Sequence, residues 1–312
     1  MTTGDFEIVE VPVRESRPGQ LLVRNRTMAV TAVMRSLMEE DSGVPVPGYE
    51  PGRPLWAPAV GEVVAAPGTD FAVGDLVTTG AGWHEYAVVD AAERHDPDLL
   101  PDPAAYLSQG ATSYMGIARG AEVGPGDRVF VTGAAGGVGS LAGQIARVRG
   151  AARVIGSTGS RRKAEVLVKE LGYDAVVIRS EGPIEEQLRE AAPDGIDALF
   201  DNVGGEQLEA AVALANRRAR FALIGSLSSQ IGQGIPARLD TLSMISRSVT
   251  LRAMALFDHR SLIPEWNEFF GRGLRDGTLT FPHVRLESID QAPRALIELL
   301  GGRHIGAVLV DL

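Results

Sequence analysis

The sequence contains no cysteine. Disulfides, thiolate nucleophiles, iron–sulfur clusters and cysteine-ligated zinc are therefore excluded. Histidine is scarce. His84, His95, His259, His283 and His304 are scattered, with no HExxH and no pair at helical spacing, so no metal site is expected. Basic residues are outnumbered, 30 Lys and Arg against 40 Asp and Glu, for a net charge of −10. A general nucleic-acid-binding protein carries the opposite balance. No apolar run approaches the roughly 20 residues a membrane-spanning helix needs. The opening MTTGDFEIVEVPV has neither the basic stretch nor the apolar stretch of a signal peptide. A soluble, cytoplasmic protein without membrane or nucleic-acid partners is the expectation.

What is present is ordinary globular composition, 45% hydrophobic and 22% charged, in 312 residues. That length suits roughly two domains. Up to about residue 100, short apolar runs alternate with Pro/Gly-rich turns. Phe6–Val13, Gln20–Arg24, Val60–Ala65, Asp75–Thr79 and Glu85–Val89 read as strands. From 105 to 258, strands at 128–132, 153–156, 175–178, 198–201, 220–225 and 249–256 alternate with helical runs. Repeated βα units of this kind predict a doubly wound parallel sheet, an α/β class. Helices over 261–274 and 293–300 and a last strand over 307–311 complete the chain.

The sharpest local signal is RVFVTGAAGGVGS at 128–140. A buried strand runs into a glycine turn and then an amphipathic helix. The glycines Gly136, Gly137 and Gly139, with Val138, let the backbone approach a pyrophosphate, and the helix start offers it unpaired N–H groups. An ordinary βα turn would need neither the spacing nor the downstream units. The second strand runs into STGSRRK, residues 157–163, with no carboxylate at its end. An NAD site carries an acid there to hold the ribose 2′-hydroxyl. Ser157, Ser160, Arg161 and Lys163 suit a 2′-phosphate instead, which favours NADPH. A solvated basic turn is the alternative, but cations at a helix start oppose its dipole. Asn202, at the end of the strand LFD, lies where ligands of open α/β sheets bind, or is a simple turn residue.

The chain resembles the medium-chain dehydrogenase/reductase superfamily, in the zinc-independent branch of alkenal/one oxidoreductases, which includes leukotriene B4 12-hydroxydehydrogenase/prostaglandin reductase and plant double-bond reductases. The carriers are AAGGVGS (134–140), GQIAR (143–147), GSTGSRRK (156–163), ELGYDAV (170–176), FDNVGGEQL (200–208), GGRHIGAVLV (301–310), GWHEYAVVD (82–90) and Met34-Arg35. The resemblance implies a GroES-like catalytic domain over 1–103, joined by 265–312, and a Rossmann domain over 104–264. It implies hydride transfer from NADPH to the C=C bond of an α,β-unsaturated carbonyl substrate, commonly in a homodimer. Val249–Leu256 would be the edge strand that joins two sheets.

Residue by residue, Gly136–Gly139 would meet the pyrophosphate and Lys163 the 2′-phosphate. Arg179 stands where the family has a phosphate-binding Tyr. Asn202 and the loop from Ile224 to Gln230, with Gly225, Ser226 and Leu227, would contact the cofactor. Met254 and Leu256 would lie near its nicotinamide end, and His304 replaces an Asn that reaches it. The family's proposed proton donor, a Tyr, is Gln230 here. Gln donates an N–H but is no general acid. Tyr114 and Tyr49 are the other catalytic candidates. A core role is the alternative for Tyr114 and a surface turn for Tyr49, and His84 and His259 are further donors by chemistry. A quinone oxidoreductase, or an NADPH-binding protein with little turnover, stands as the alternative function.

Overall fold

A computed structural model of the protein describes residues 1–40, 43–227 and 236–312. The chain divides into two compact units, Met1–Ser108 with His283–Leu312, and Gln109–Pro282. Among the described residues, thirteen strands follow in chain order. The first unit holds β1 (Leu21–Val30), β2 (Ala59–Ala65), β3 (Leu76–Thr79), β4 (Tyr86–Val89) and β5 (Glu93–Arg94). The second holds β6 (Arg128–Val131), β7 (Arg153–Thr158), β8 (Ala175–Ile178), β9 (Ile196–Asp201), β10 (Ala215–Leu223) and β11 (Thr250–Ala253). The chain then returns to the first unit as β12 (His283–Glu287) and β13 (Ala307–Asp311).

The first sheet runs β12-β13-β1-β2-β3-β5, with β4 also on β1. Its pairs are antiparallel except β12 with β13. The return of the last strand is exact in register, Thr27 facing Asp311 and Val30 facing Val308. The core beneath is Met28, Val30, Met34, Trp83, Leu296 and Val308. Alternation misleads at one place. Phe6–Val13 pairs with no strand among the described residues, and Ile8, Val9, Val11 and Val13 are exposed. Pro12 lacks the N–H a ladder needs, and acidic Glu7 and Glu10 keep the segment in water.

The second sheet runs β11-β10-β9-β6-β7-β8, all parallel. Strand order reverses between β6 and β9, the switch point of a doubly wound fold. Phe130, Ile155, Leu199 and Phe221 are fully buried because helices cover both faces. Helices in order are α1 (Val33–Ser36), α2 (Gly110–Met115), α3 (Gly139–Val148), α4 (Arg161–Glu170), α5 (Ile184–Ala191) and α6 (Glu206–Ala213). Later helices cover Thr241–Arg247, Ile263–Asp276 and Ala292–Leu300.

Three boundaries differ from the sequence reading, and at the first of them residues 104–108 stay with the first unit. Residues 265–282 fold with the second unit, because Trp266 of the helix Ile263–Asp276 stacks on Phe270 and fills the space beside Gly110 and Tyr114. The edge strand β11 stops at Ala253, where its partner β10 ends at Leu223. Met254 N–H still donates to the Leu223 carbonyl at 3.0 Å, then Leu256–Leu262 turns away as a 3₁₀ stretch. No helix among the described residues is long and apolar enough to cross a membrane.

Candidate cofactor-binding and active site

The glycine turn follows β6. Gly133 adopts φ +61° and donates its N–H to Ser157 Oγ at 3.1 Å. Ser157 is buried, and its hydroxyl also bonds Gln207 Oε1. Ser157 therefore holds the turn against β7 with a hydroxyl already spent, which corrects its assignment as a phosphate ligand. Gly139 opens α3, and a Cβ there would lie 2.4 Å from the Gly133 carbonyl oxygen and 2.7 Å from Ala134 Cα. Only glycine lets the helix start come this close to the turn. One turn on, a Cβ at Gly143 would lie 2.3 Å from Cζ of Tyr173, whose hydroxyl donates to the Gly139 carbonyl at 2.7 Å. Burial pushes the Tyr173 phenol up, so it remains a donor. The N–H groups of Gly137, Val138 and Gly139 have no partner among the described residues. Gly136 is exposed at the tip. Unpaired N–H groups at a helix start are the donor set a diphosphate fits.

The next turn joins β7 to α4. Ser160 is its extended N-cap residue, and its hydroxyl makes no cap bond. Four cations gather here, Arg161, Arg162 and Lys163 with Arg179 from the end of β8. The Arg179 Nη2 lies 3.1 Å from where a Cβ on Gly159 would be. The sequence separates these groups by sixteen or more residues; parallel pairing of β7 with β8 brings them together. Their partners differ. Arg161 is held by Glu181, Nε at 3.1 Å and Nη2 at 2.7 Å. The side chains of Arg162, Lys163 and Arg179 have no hydrogen bond or ion pair among the described residues. Burial first, then Arg162 and Arg179, hold the half-buried Lys163 ammonium below the usual lysine range. Cations that converge without an acid form a site for a dianion.

The third turn follows β9. Asp201 is 1% exposed and was given no role by sequence reasoning. Its Oδ1 accepts from Thr132 Oγ1 at 2.6 Å, from Val203 N–H at 3.0 Å and from Gly204 N–H at 3.1 Å. Thr132 Oγ1 in turn accepts from Asn202 N–H at 2.8 Å, and Asn202 Nδ2 donates to the Thr132 carbonyl at 3.0 Å. The Ile224 and Gly225 N–H groups donate to the Asp201 carbonyl, and Leu227 N–H to that of Asn202. Gly204 lies beside Ser226. Asn202, Gly225, Ser226 and Leu227 thus meet at one sheet edge beside Gly133. Asp201 and Thr132 were missed because their bond spans 69 residues; the only local signal was an acid at a strand end.

Each of the two described catalytic candidates is engaged within its own unit. Tyr114 packs on Trp266 and Phe269, and its hydroxyl donates to Glu265 Oε1 at 2.6 Å. Burial and that carboxylate raise its phenol, while the Tyr114 bond and Arg119 keep Glu265 ionised below its usual range. Tyr114 reads as a core residue. Tyr49, in the first unit, donates to the Trp56 carbonyl at 2.7 Å and meets that ring edge-on; burial raises it as well. It closes its own loop. Gln230 lies outside the described residues. His304 sits on a first-unit groove, its Nε2 3.2 Å from Glu298. His84 Nδ1 is 3.3 Å from the Gly82 carbonyl, and His259 breaks the 3₁₀ stretch where Met254 and Leu262 line a shallow pocket. Leu256 opens that stretch and is half-buried. Among the described residues, no group of three or more His, Asp or Glu is placed to hold a metal ion.

A doubly wound sheet with an open glycine turn at its switch point defines a dinucleotide-binding domain, here joined to a mainly antiparallel unit. Comparison with known proteins narrows the class. Residues 137–271 match the family described as zinc-binding dehydrogenase, and residues 1–96 that described as N-terminal domain of oxidoreductase. A 2-alkenal reductase (NADP(+)-dependent) of Nicotiana tabacum is 30% identical over 98% of this chain and 92% of its own. A putative NADP-dependent oxidoreductase of Bacillus subtilis, YfmJ, is 31% identical over 99% and 93%. Among solved structures, CurA from Vibrio vulnificus in complex with NADPH superposes with a TM-score of 0.88 at 26% identity, covering 97% of this chain and 93% of that chain. The chain belongs to the medium-chain dehydrogenase/reductase family, among its zinc-independent reductases.

Proposed function

We propose that the protein is an NADPH-dependent reductase of the C=C bond in α,β-unsaturated aldehydes or ketones, working without zinc. The observation that carries the cofactor is the cluster of Lys163, Arg162 and Arg179, whose side chains meet no acid among the described residues. The names of relatives across nearly the whole chain support the substrate class. When bound, NADPH supplies a hydride.

The rest of the chemistry belongs to the chain. The Gly137–Gly139 N–H groups and the α3 dipole would hold the pyrophosphate, with Gly136 at the tip. Lys163, Arg179 and Ser160 would hold the 2′-phosphate. Asn202 and the backbone of 224–227 would border the nicotinamide ribose, with Met254 and Leu256 toward the ring. Hydride arrival puts negative charge on the substrate carbonyl oxygen, which needs a donor. The Gln230 amide is our candidate donor, with solvent delivering the proton to carbon. Tyr114 and Tyr49 are unsuited, because their hydroxyls are spent on Glu265 and Trp56. The engagement of both phenols also favours a second reading, quinone reduction, where protons go to oxygen atoms that exchange with solvent unaided.

NADPH oxidation should be followed with a conjugated enone, its saturated ketone and a quinone, with NADH as control. We expect turnover with the enone and NADPH. Turnover with the quinone alone would replace the reading by the second one. Firm NADPH binding without turnover on any of the three would leave a binding protein. The assembly we propose is a homodimer through β11, in the cytoplasm. Thr250–Ala253 is exposed along its length, and Leu242 and Ile245 on the preceding helix are each 74% exposed. Light scattering at twice the 33.0 kDa chain mass is the expected result.

A further inference from the structure

Beside the open cations at the ends of β7 and β8 stands one acid, Glu181 on Arg161, and its placement is not casual. Glu181 closes the short turn Arg179–Glu181 that also carries Arg179. That turn is tied down by Gln187 of α5. Ile178 N–H donates to Gln187 Oε1 at 2.9 Å, and Gln187 Nε2 donates to the Ile178 carbonyl at 3.1 Å and to the Gly182 carbonyl at 3.0 Å. Gly182 follows at φ +139°. The fold therefore fixes where the Glu181 carboxylate stands, and it stands on Arg161. The pair is two-pronged, and the guanidinium side is 74% exposed while the acid side is 35% exposed. An exposed pair of this kind adds little stability. Its stability does not explain why Arg161, alone of the four cations, should be neutralised.

We infer that Glu181 is an internal competitor of the 2′-phosphate, a residue that sets cofactor preference by occupying Arg161 and by placing one negative charge beside the phosphate cradle. A carboxylate held on a guanidinium by two parallel bonds has the geometry a phosphate would use on the same group. With Glu181 in place, Lys163 and Arg179 remain open to the dianion and Arg161 does not. Preference for the 2′-phosphorylated dinucleotide is kept, but its affinity is held down, which favours release of the oxidised cofactor. Arg161, read from the sequence as a phosphate ligand, is then a reserve cation. This inference rests on the reading of the cluster as a 2′-phosphate site.

The test is equilibrium binding of NADPH and NADH, by nucleotide fluorescence or calorimetry, to the full chain and its variants. Glu181→Gln should tighten NADPH by about fivefold, the size of one charge-assisted bond gained beside a dianion, and leave NADH unchanged. Adding Arg161→Gln to Glu181→Gln should remove the gain. Weaker or unchanged NADPH binding by Glu181→Gln would overturn the inference, and so would an equal gain with NADH. Lys163→Gln serves as the reference. If it fails to weaken NADPH relative to NADH, the 2′-phosphate reading itself falls; if it succeeds while Glu181→Gln does not tighten binding, only the inference falls.

Discussion

Two turns at the carboxyl edge of the same parallel sheet treat polar groups in opposite ways. After β9, the buried Asp201 carboxylate meets a hydroxyl and two backbone N–H groups, and Thr132 and Asn202 complete the set. After β7, the hydroxyl of Ser160 makes no cap bond, and three cationic side chains stand without an acid among the described residues. The first turn is satisfied by the protein. The second is left for a ligand to satisfy. Burial decides between the two arrangements. An unpaired group at Asp201 would be out of reach of water and costly. Arg162 and Arg179 reach solvent, which supports their charge until a phosphate arrives.

The glycine turn lies between these extremes and offers the harshest way to break the comparison. Gly139→Val places a Cβ 2.4 Å from the Gly133 carbonyl oxygen, a backbone contact that cannot swing aside. Overpacking costs about 1–3 kcal/mol or more. We expect a lower melting temperature and loss of binding of both NADPH and NADH. Retained binding of either would show that the turn is not the phosphate cradle.

Asp201→Ala attacks the satisfied turn. It leaves buried donors of Thr132, Val203 and Gly204 unpaired, for a loss of about 3 kcal/mol in urea unfolding. Weaker binding of both nucleotides should follow, since the 224–227 backbone hangs on the same turn. A stability change under about 0.5 kcal/mol would mean that water replaces the carboxylate.

Lys163→Gln attacks the open turn. Stability should barely change, while NADPH affinity falls about tenfold and NADH affinity holds. The same residue gives a pH signature. Its pKa is lowered from 10.5 in the folded protein. Between that lowered value and 10.5, the unfolded chain binds more protons than the folded one, so this group makes stability rise with pH. Binding runs the other way. The phosphate favours charged Lys163, so NADPH affinity should fall as pH rises through the lowered value, in a range where an ordinary lysine is still charged. NADH affinity should stay flat there. Parallel curves for the two nucleotides would contradict the assignment.

Tyr114→Phe is the mildest change. It removes one bond to an exposed, Arg119-paired carboxylate, for about 1 kcal/mol. Turnover should be within about twofold of the parent, because the ring packing on Trp266 and Phe269 persists. A large fall in kcat with unchanged melting temperature would return Tyr114 to the catalytic list.

Much of the fold is legible because it rests on short-range patterns. Strand β6, the glycine turn and helix α3 are contiguous, and the βα alternation repeats. The misreadings mark where local pattern stops. Phe6–Val13 alternates like a strand, but alternation cannot say whether a partner strand lies alongside. β11 ends where β10 ends, a limit set by a neighbour rather than by its own apolar run. In the site, the basic run 161–163 announces a cation cluster, but not that Arg161 is spent on Glu181 twenty residues on, or that Ser157 is spent on Gln207.

By itself, then, the sequence determined the absence of thiol chemistry, the alternating βα architecture, the glycine turn and the type of charge at the second strand end. These follow from residue type and spacing, which act through the nearest few residues. Only the tertiary structure decided which of those groups remain open. A donor or a charge is available to a ligand when no distant part of the chain already satisfies it, and parallel strand pairing brings such distant parts together.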